Sequence, residues 1–196
     1  MKKFSAKSRS ARHLVSLALA VSALSATPAQ AAVVTFACPS GGGSYLVNNG
    51  VLTGTSGECG GDLVLDSSVT TINYVSLSDT SITSLTIPAS VQTITNPFYY
   101  TSNLVSINVD SASTTFKSVD GVLFNYSGTF LIAYPASKSG STYTIPSSVT
   151  HIGIYAFGSN KYLTSMSIPN GVTHIEGGIF IAVSYTHLTL PTKRIV

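Results

Sequence analysis

The sequence predicts a mostly β fold in which one short unit repeats and coils into a solenoid of about five rungs, a rung being one turn of the coil. Three observations lead to this prediction. An eight-residue phrase recurs four times, runs of alternating apolar and small polar residues precede most copies, and one interval between copies is long enough to hold a hairpin.

The repeated phrase begins with an apolar residue, usually followed by proline, and has valine in its fifth place and isoleucine in its eighth. Its copies span residues 65–72, 87–94, 145–152 and 168–175. In the first copy Asp66 stands where the others have proline. Proline has no amide hydrogen to donate to a neighbouring strand, so it marks the end of the preceding strand.

The runs before the phrase, residues 82–87, 104–109 and 163–168, alternate in the manner of strands with one face turned inward. The last apolar residues of successive strands are separated by 22, 22, 36 and 23 residues. A period of 22 to 23 residues is typical of leucine-rich repeats. One rung is too small to bury its own apolar face, so we expect stacked rungs of this type over residues 63–182. The positions measured are Leu65, Ile87, Val109, Ile145 and Ile168.

The interval of 36 residues indicates an insertion at about residues 117–135. Two apolar stretches, 119–125 and 129–134, flank the segment Tyr126-Ser127-Gly128. This pattern predicts two strands joined by a turn. We therefore expect a β-hairpin inserted into one rung.

Residues 32–62 do not follow the repeat, and solenoids need an atypical cap to cover the first rung. Two short stretches, 44–47 and 51–53, are joined by Asn48, Asn49 and Gly50. An Asn-Gly pair favours a tight hairpin turn. The sequence therefore predicts an N-terminal β cap.

The two cysteines, Cys38 and Cys59, both fall in this cap. An exported protein permits a disulfide, and such a bridge would stabilise the fold by about 3 kcal/mol on the chain-entropy model. Two buried free thiols, or half of a metal site, are the alternatives. No histidine or further cysteine lies nearby to complete four metal ligands, so we predict the bridge.

Residues 1–31 are expected to be a signal peptide. A basic stretch precedes an apolar run at 14–24, and small residues lead to cleavage near Ala31. An uncleaved anchor would need about 20 apolar residues, roughly twice the length of this run. The sequence thus predicts a secreted or cell-surface protein with no membrane span in the mature chain.

The last residues, 183–196, are expected to be a non-native tail. The segment 183–192 agrees throughout with one reading frame of a sequencing-library adapter. A genuine repeat is the alternative, because Pro191 follows Pro169 by 22 residues. On the first interpretation the natural chain continues differently after Ala182.

The phrase, the Ala156-Phe157 step that follows it, and the hairpin sequence from Val119 to Pro135 together resemble the BspA-like leucine-rich repeat family. The resemblance covers roughly residues 63–182 and implies a bacterial surface or secreted protein that acts in adhesion through protein contacts. Asp66, and the third rung ending in Val109-Asp110, depart from the family pattern.

Charge and motifs exclude several function classes. Between residues 32 and 182 three lysines face seven acidic residues, a net charge of −4 that disfavours nucleic acid. His151 and His174 occupy the same place in consecutive copies, which could form a metal or pH-sensitive pair, yet no carboxylate is spaced to complete a site. No serine lies in a nucleophile elbow. We predict no enzyme activity, no cofactor and no metal.

One face remains as a candidate binding surface. Outward positions just before the strand ends form a row of mostly uncharged polar residues on the concave side of the solenoid, where such proteins commonly bind partners. We predict a non-catalytic extracellular recognition or adhesion module for a protein or glycan. A structural surface-coat component, or the binding part of a larger exported enzyme, are the alternatives. The residues of the row are Thr86, Asn108, Thr144 and Ser167, with Val64 in line.

Overall fold

The computed structural model describes residues 33–73, 76–95, 98, 100–181 and 183, and the backbone of 187–189. Across these residues the fold is mostly β with no helix, as predicted. The predicted signal peptide lies outside the described residues. In chain order the strands are β1 Val34–Ala37, β2 Ser44–Asn48, β3 Val51–Ser56, β4 Gly60–Val64, β5 Thr71–Ile72, β6 Ser81–Ile87, β7 Thr93–Ile94, β8 Ser106–Val109, β9 Phe116–Val119, β10 Val122–Asn125, β11 Phe130–Ala133, β12 Thr142–Thr144, β13 His151–Ile152, β14 Ser165–Ser167, β15 His174–Ile175 and β16 His187–Thr189.

Each rung contributes one strand before the phrase and a short strand at its end. The strands before the phrase pair in parallel as two sheets, β4-β6-β8 and β12-β14-β16. The short strands join two further sheets, β1-β2-β3-β5-β7 and β15-β13-β11-β10-β9. Side chains from both sets are buried together, so the two sets enclose the core between them. This arrangement is the stacked solenoid that the repeat predicts.

The phrase itself is a tight turn between the two strands of a rung. Val91 N donates to Pro88 O at 3.2 Å, and the side chain of Val91 is fully buried. Asp66 replaces proline without disturbing the turn, because its Oδ1 accepts a hydrogen bond from Ser68 N at 2.8 Å. Asp110 does the same with Ala112 N at 2.9 Å. A carboxylate that caps the turn can therefore stand in for the fixed φ of proline.

In three of the four copies of the phrase, a threonine side chain connects the rung to the segment stacked before it. Thr70 Oγ1 donates to Gly50 O at 3.2 Å. Thr150 Oγ1 donates to Thr129 O, and Thr173 Oγ1 in turn donates to Thr150 O, each at 3.3 Å. These bonds all point toward the N-terminal neighbour, which gives one physical reason for the abundance of threonine in the repeat.

The N-terminal segment is an antiparallel sheet that continues into the first rung. β1 pairs with β2, β2 with β3, and β3 pairs in parallel with β5. The turn at Asn49 and Gly50 has φ of 49° and 76°, as the predicted tight hairpin turn requires. Cys38 and Cys59 form a disulfide with their Cα atoms 5.2 Å apart.

The inserted hairpin is present as β10 and β11, with one difference from its predicted form. The prediction of one strand over 119–125 is wrong, because Asp120 and Gly121, with φ of 50° and 76°, form a turn of their own. β9 therefore precedes β10 as an additional antiparallel partner, with Val119 opposite Val122. The result is a three-stranded unit of β9, β10 and β11.

This unit stands between two separate hydrophobic cores. The first core holds the apolar side chains of the N-terminal rungs together with Leu123 and Ala133. The second core holds those of the C-terminal rungs together with Val122, Phe124 and Leu131. Alternate residues of β10 thus serve opposite sides.

The C-terminal segment continues the parallel ladder as far as it is described. β16 pairs with β14, with Ser165 opposite His187 and Ser167 opposite Thr189. Residues 190–196 lie outside the described part. The adapter origin of residues 183–196 and the boundaries of cap and solenoid stay predictions.

Candidate binding surfaces

The polar row predicted from the sequence lies on the sheets formed by the strands before the phrase. Val64, Thr86 and Asn108 are direct neighbours on β4, β6 and β8. Asn108 is exposed, Thr86 is half-buried, and Val64 has 64% of its side chain exposed. Thr144 and Ser167 are neighbours on β12 and β14, and both are exposed.

The row is not continuous, which differs from the single ladder that the repeat predicts. The turn at Asp120 and Gly121 occupies the free edge of β8, where Ile107 N donates to Gly121 O at 2.9 Å. A Cβ on Gly121 would lie 3.1 Å from the Cβ of Ser106, so the turn is in close contact with the strand. We call β4, β6 and β8 the N-terminal panel, and β12, β14 and β16 the C-terminal panel.

A carboxylate lies at the first strand of the N-terminal panel. Asp62 Oδ1 accepts hydrogen bonds from Thr83 Oγ1 at 2.8 Å and Ser84 Oγ at 2.9 Å. Donation from Thr83, and then from Ser84, holds the pKa of Asp62 below its ordinary value, because both bonds stabilise the charged form. The panel therefore presents a fixed negative charge beside its hydroxyl groups.

The two equivalent histidines stack on neighbouring rungs. The rings of His151 and His174 lie 4.3 Å apart between centroids and are inclined by only 3°. Nδ1 of His151 is hydrogen bonded to Thr150 Oγ1 at 2.8 Å, and Nδ1 of His174 to Thr173 Oγ1 at 2.9 Å. Parallel rings direct their remaining nitrogens side by side rather than toward one point. Within the described ranges no group of three metal-ligating side chains occurs, around these rings or elsewhere.

A cleft of about 410 Å³ lies where the inserted unit meets the first core, and sequence reasoning did not find it. Its walls are mainly apolar and include Ile94, Phe116, Phe130 and Ile132, with Glu176 at one side. The cleft depends on how the insertion packs against distant rungs. The sequence indicated that an insertion is present, but not how it packs.

Comparison with protein families decides the classification. The model of the BspA type leucine rich repeat region matches in six copies over residues 61–130 and 132–195. The chain belongs to this family. BspA-type repeats thus account for most of the chain, including both panels and the inserted unit.

Solved structures also support the fold. The pneumococcal vaccine antigen PcpA is 30% identical, with a TM-score of 0.60 over 64% of this chain and 32% of that chain. A leucine rich cell surface protein from Faecalibacterium prausnitzii A2-165 is 32% identical, with a TM-score of 0.55 over 64% of this chain and 35% of that chain. The match thus spans about a third of each of these two proteins.

A leucine-rich repeat protein from Eubacterium ventriosum is 22% identical, with a TM-score of 0.52 over 76% of this chain and 63% of that chain, and supports the fold alone. A comparison with curated proteins gives no match. No membrane-spanning helix is present among the residues that the structure describes.

Proposed function

We propose that the protein is a non-catalytic extracellular recognition or adhesion module that binds a protein or glycan through its two panels. The observation that supports this most is the row of exposed or half-buried, mostly uncharged side chains on parallel strands. The strands are fixed by rung stacking before any ligand arrives. Binding therefore costs little additional ordering of the protein.

The likeness to bacterial surface proteins supports an extracellular role. Two of the matched structures are a vaccine antigen and a cell surface protein. The disulfide of the cap fits an oxidising compartment outside the cytosol. On this proposal residues 1–31 direct export and are removed near Ala31.

The interruption between the panels refines the proposal. A ligand that contacts Thr86 and Asn108 uses one flat surface, and a ligand that contacts Thr144 and Ser167 uses another. A partner that engages both panels must accommodate the Asp120-Gly121 turn between them. We expect such a partner to gain affinity from two linked contacts rather than one.

The test is binding of the full chain to a glycan array and to a panel of extracellular-matrix proteins, before and after panel substitution. Lysine in place of Thr86, Asn108, Thr144 and Ser167 together should abolish binding, because long charged side chains would cover both panels. The matched control places four lysines at exposed turn positions away from the panels: Ser67, Ser111, Ser147 and Asn170. Binding that survives the panel variant, or is lost equally in the control, would refute the panel proposal.

A further inference from the structure

The cleft beside the inserted unit is separate from both panels and is bounded by the edge of a sheet. Ile94 belongs to β7, the last strand of its sheet, and it is the final member of a stack with Leu52 and Ile72. Phe130 and Ile132 of β11 also line the cleft. Both are only partly buried, so they present apolar surface to it together with Ile94.

A glycine keeps this space open. Gly153 lies beside β11, where its N donates to Leu131 O at 2.9 Å, and a Cβ added to it would be 3.1 Å from Cε2 of Phe130. Any larger residue would press on the aromatic ring. The cleft of about 410 Å³ is within the range of small-ligand sites, and a few polar groups in an apolar cleft are typical of them.

Of the described residues that line the cleft, one is charged, and its charge is negative. Glu176 Oε2 accepts a hydrogen bond from Ile154 N at 2.8 Å, which positions the carboxylate against the apolar wall. Among the described residues no lysine, arginine or histidine forms an ion pair with Glu176, which is exposed. The carboxylate is therefore available to a cation from outside.

An apolar cleft with one carboxylate fits a side chain that is itself apolar along its stem and cationic at its end. Lysine and arginine have this form, because their methylene groups pack on apolar surface while the head group stays at a charge. The faces of Phe116 and Phe130 add attraction for a cation that lies within about 6 Å of them. An anionic ligand would be repelled by Glu176, and a purely apolar ligand would make no use of its charge.

We propose that this cleft binds a lysine or arginine side chain presented by a partner protein. The stem lies against Ile94, Ile132 and Phe130, and the cation reaches Glu176. The net charge of −4 between residues 32 and 182 attracts a basic partner to the same molecule. This site is independent of the panels, so either proposal can fail without the other.

The test uses the full chain with ¹³C-labelled isoleucine methyl groups, titrated with the blocked peptide acetyl-Gly-Lys-Gly-amide. The methyl signals of Ile94, Ile132 and Ile154 should shift, and those of the buried Ile82 and Ile107 should not. The same peptide with norleucine in place of lysine keeps the stem and removes only the charge. It should bind about two- to fivefold more weakly, the range that an exposed ion pair supplies.

The variant Glu176→Gln should make the lysine and norleucine peptides bind alike, since the amide can still accept the bond from Ile154 but carries no charge. Glu58→Gln, at the other glutamate of the sequence, is the matched control and should leave the preference for lysine unchanged. The proposal is overturned if the lysine peptide leaves the three cleft signals unmoved, if norleucine binds equally well to the unaltered chain, or if both variants lose the preference.

Discussion

At the scale of single residues, several turns depend on a positive φ, a backbone conformation that residues other than glycine seldom adopt. Gly50 has a φ of 76°, and a Cβ there would lie only 2.6 Å from Thr70 Oγ1. That hydroxyl donates to the carbonyl oxygen of Gly50, so the same glycine serves both the hairpin turn and the contact to the next rung. Gly42 has nearly the same φ, 74°, but open space around it.

Substitution of these two glycines separates the loss of stability caused by the backbone conformation from the loss caused by the contact with Thr70. Gly42→Ala should lower the free energy of unfolding by about 1 kcal/mol, the penalty of a left-handed backbone for alanine. Gly50→Ala should lower the free energy of unfolding by about 1 kcal/mol more, because the Thr70 hydrogen bond must also break. Urea denaturation of the full chain measures both. Equal losses would show that the contact to Thr70 adds nothing.

At the scale of the structural element, a buried polar residue holds the loop before the strand in more than one rung. Asn160 is 2% exposed, its Nδ2 donates to Pro135 O, and its Oδ1 accepts from Tyr162 N and Leu163 N. Thr101 holds the corresponding place in an earlier rung, also 2% exposed. Its Oγ1 donates only to Phe98 O, which also accepts a bond from the Thr101 amide.

The difference predicts unequal losses on substitution. Asn160→Leu removes the partners of three backbone groups and should cost about 3 kcal/mol or more, since each unsatisfied buried group costs about 1–3 kcal/mol. Thr101→Val keeps the shape and leaves Phe98 O bonded, so it should cost about 1 kcal/mol. The two variants are compared by thermal and urea unfolding. A smaller loss for Asn160→Leu than for Thr101→Val would contradict this account.

The regular rungs could be predicted from the sequence because their signals are local. The spacing of valine and isoleucine in the phrase follows from which side chains face the core. The interruption of the row depends instead on where the Asp120-Gly121 turn docks, and that contact joins residues distant in sequence. The Asp-Gly pair between Val119 and Val122 is itself a hairpin signal. The cleft at Glu176 rests on the packing of four separate segments, which no local pattern reports.

At the scale of the whole molecule, the inserted unit divides the interior. The side chain of Leu123 belongs to the first core, and that of Phe124, its neighbour in the chain, to the second. Both are essentially inaccessible to solvent. In a solenoid each rung depends mainly on its neighbours. A destabilising substitution in one core should therefore reduce the stability of the rungs around that core most.

This arrangement predicts opposite effects for two adjacent substitutions. Phe124→Ala should cost about 3–5 kcal/mol and Leu123→Ala about 2–5 kcal/mol, as is usual for buried large side chains. Phe124→Ala should reduce amide protection at Met166 in the second core more than at Leu85 in the first, and Leu123→Ala the reverse. Native-state hydrogen exchange measures both. Equal loss at the two amides for either variant would mean that the cores unfold as one.

The threonine hydroxyls that bond to the preceding rung also bear on how such a chain lengthens. A rung with threonine at this place brings its own donor, as Thr173 does for the carbonyl of Thr150, and offers the next rung an acceptor of the same kind. A tandem duplication of one such 23-residue unit therefore copies both the donor and the acceptor of the bond between rungs. The number of rungs can then change during evolution without selection of new contacts between the old and the new rung.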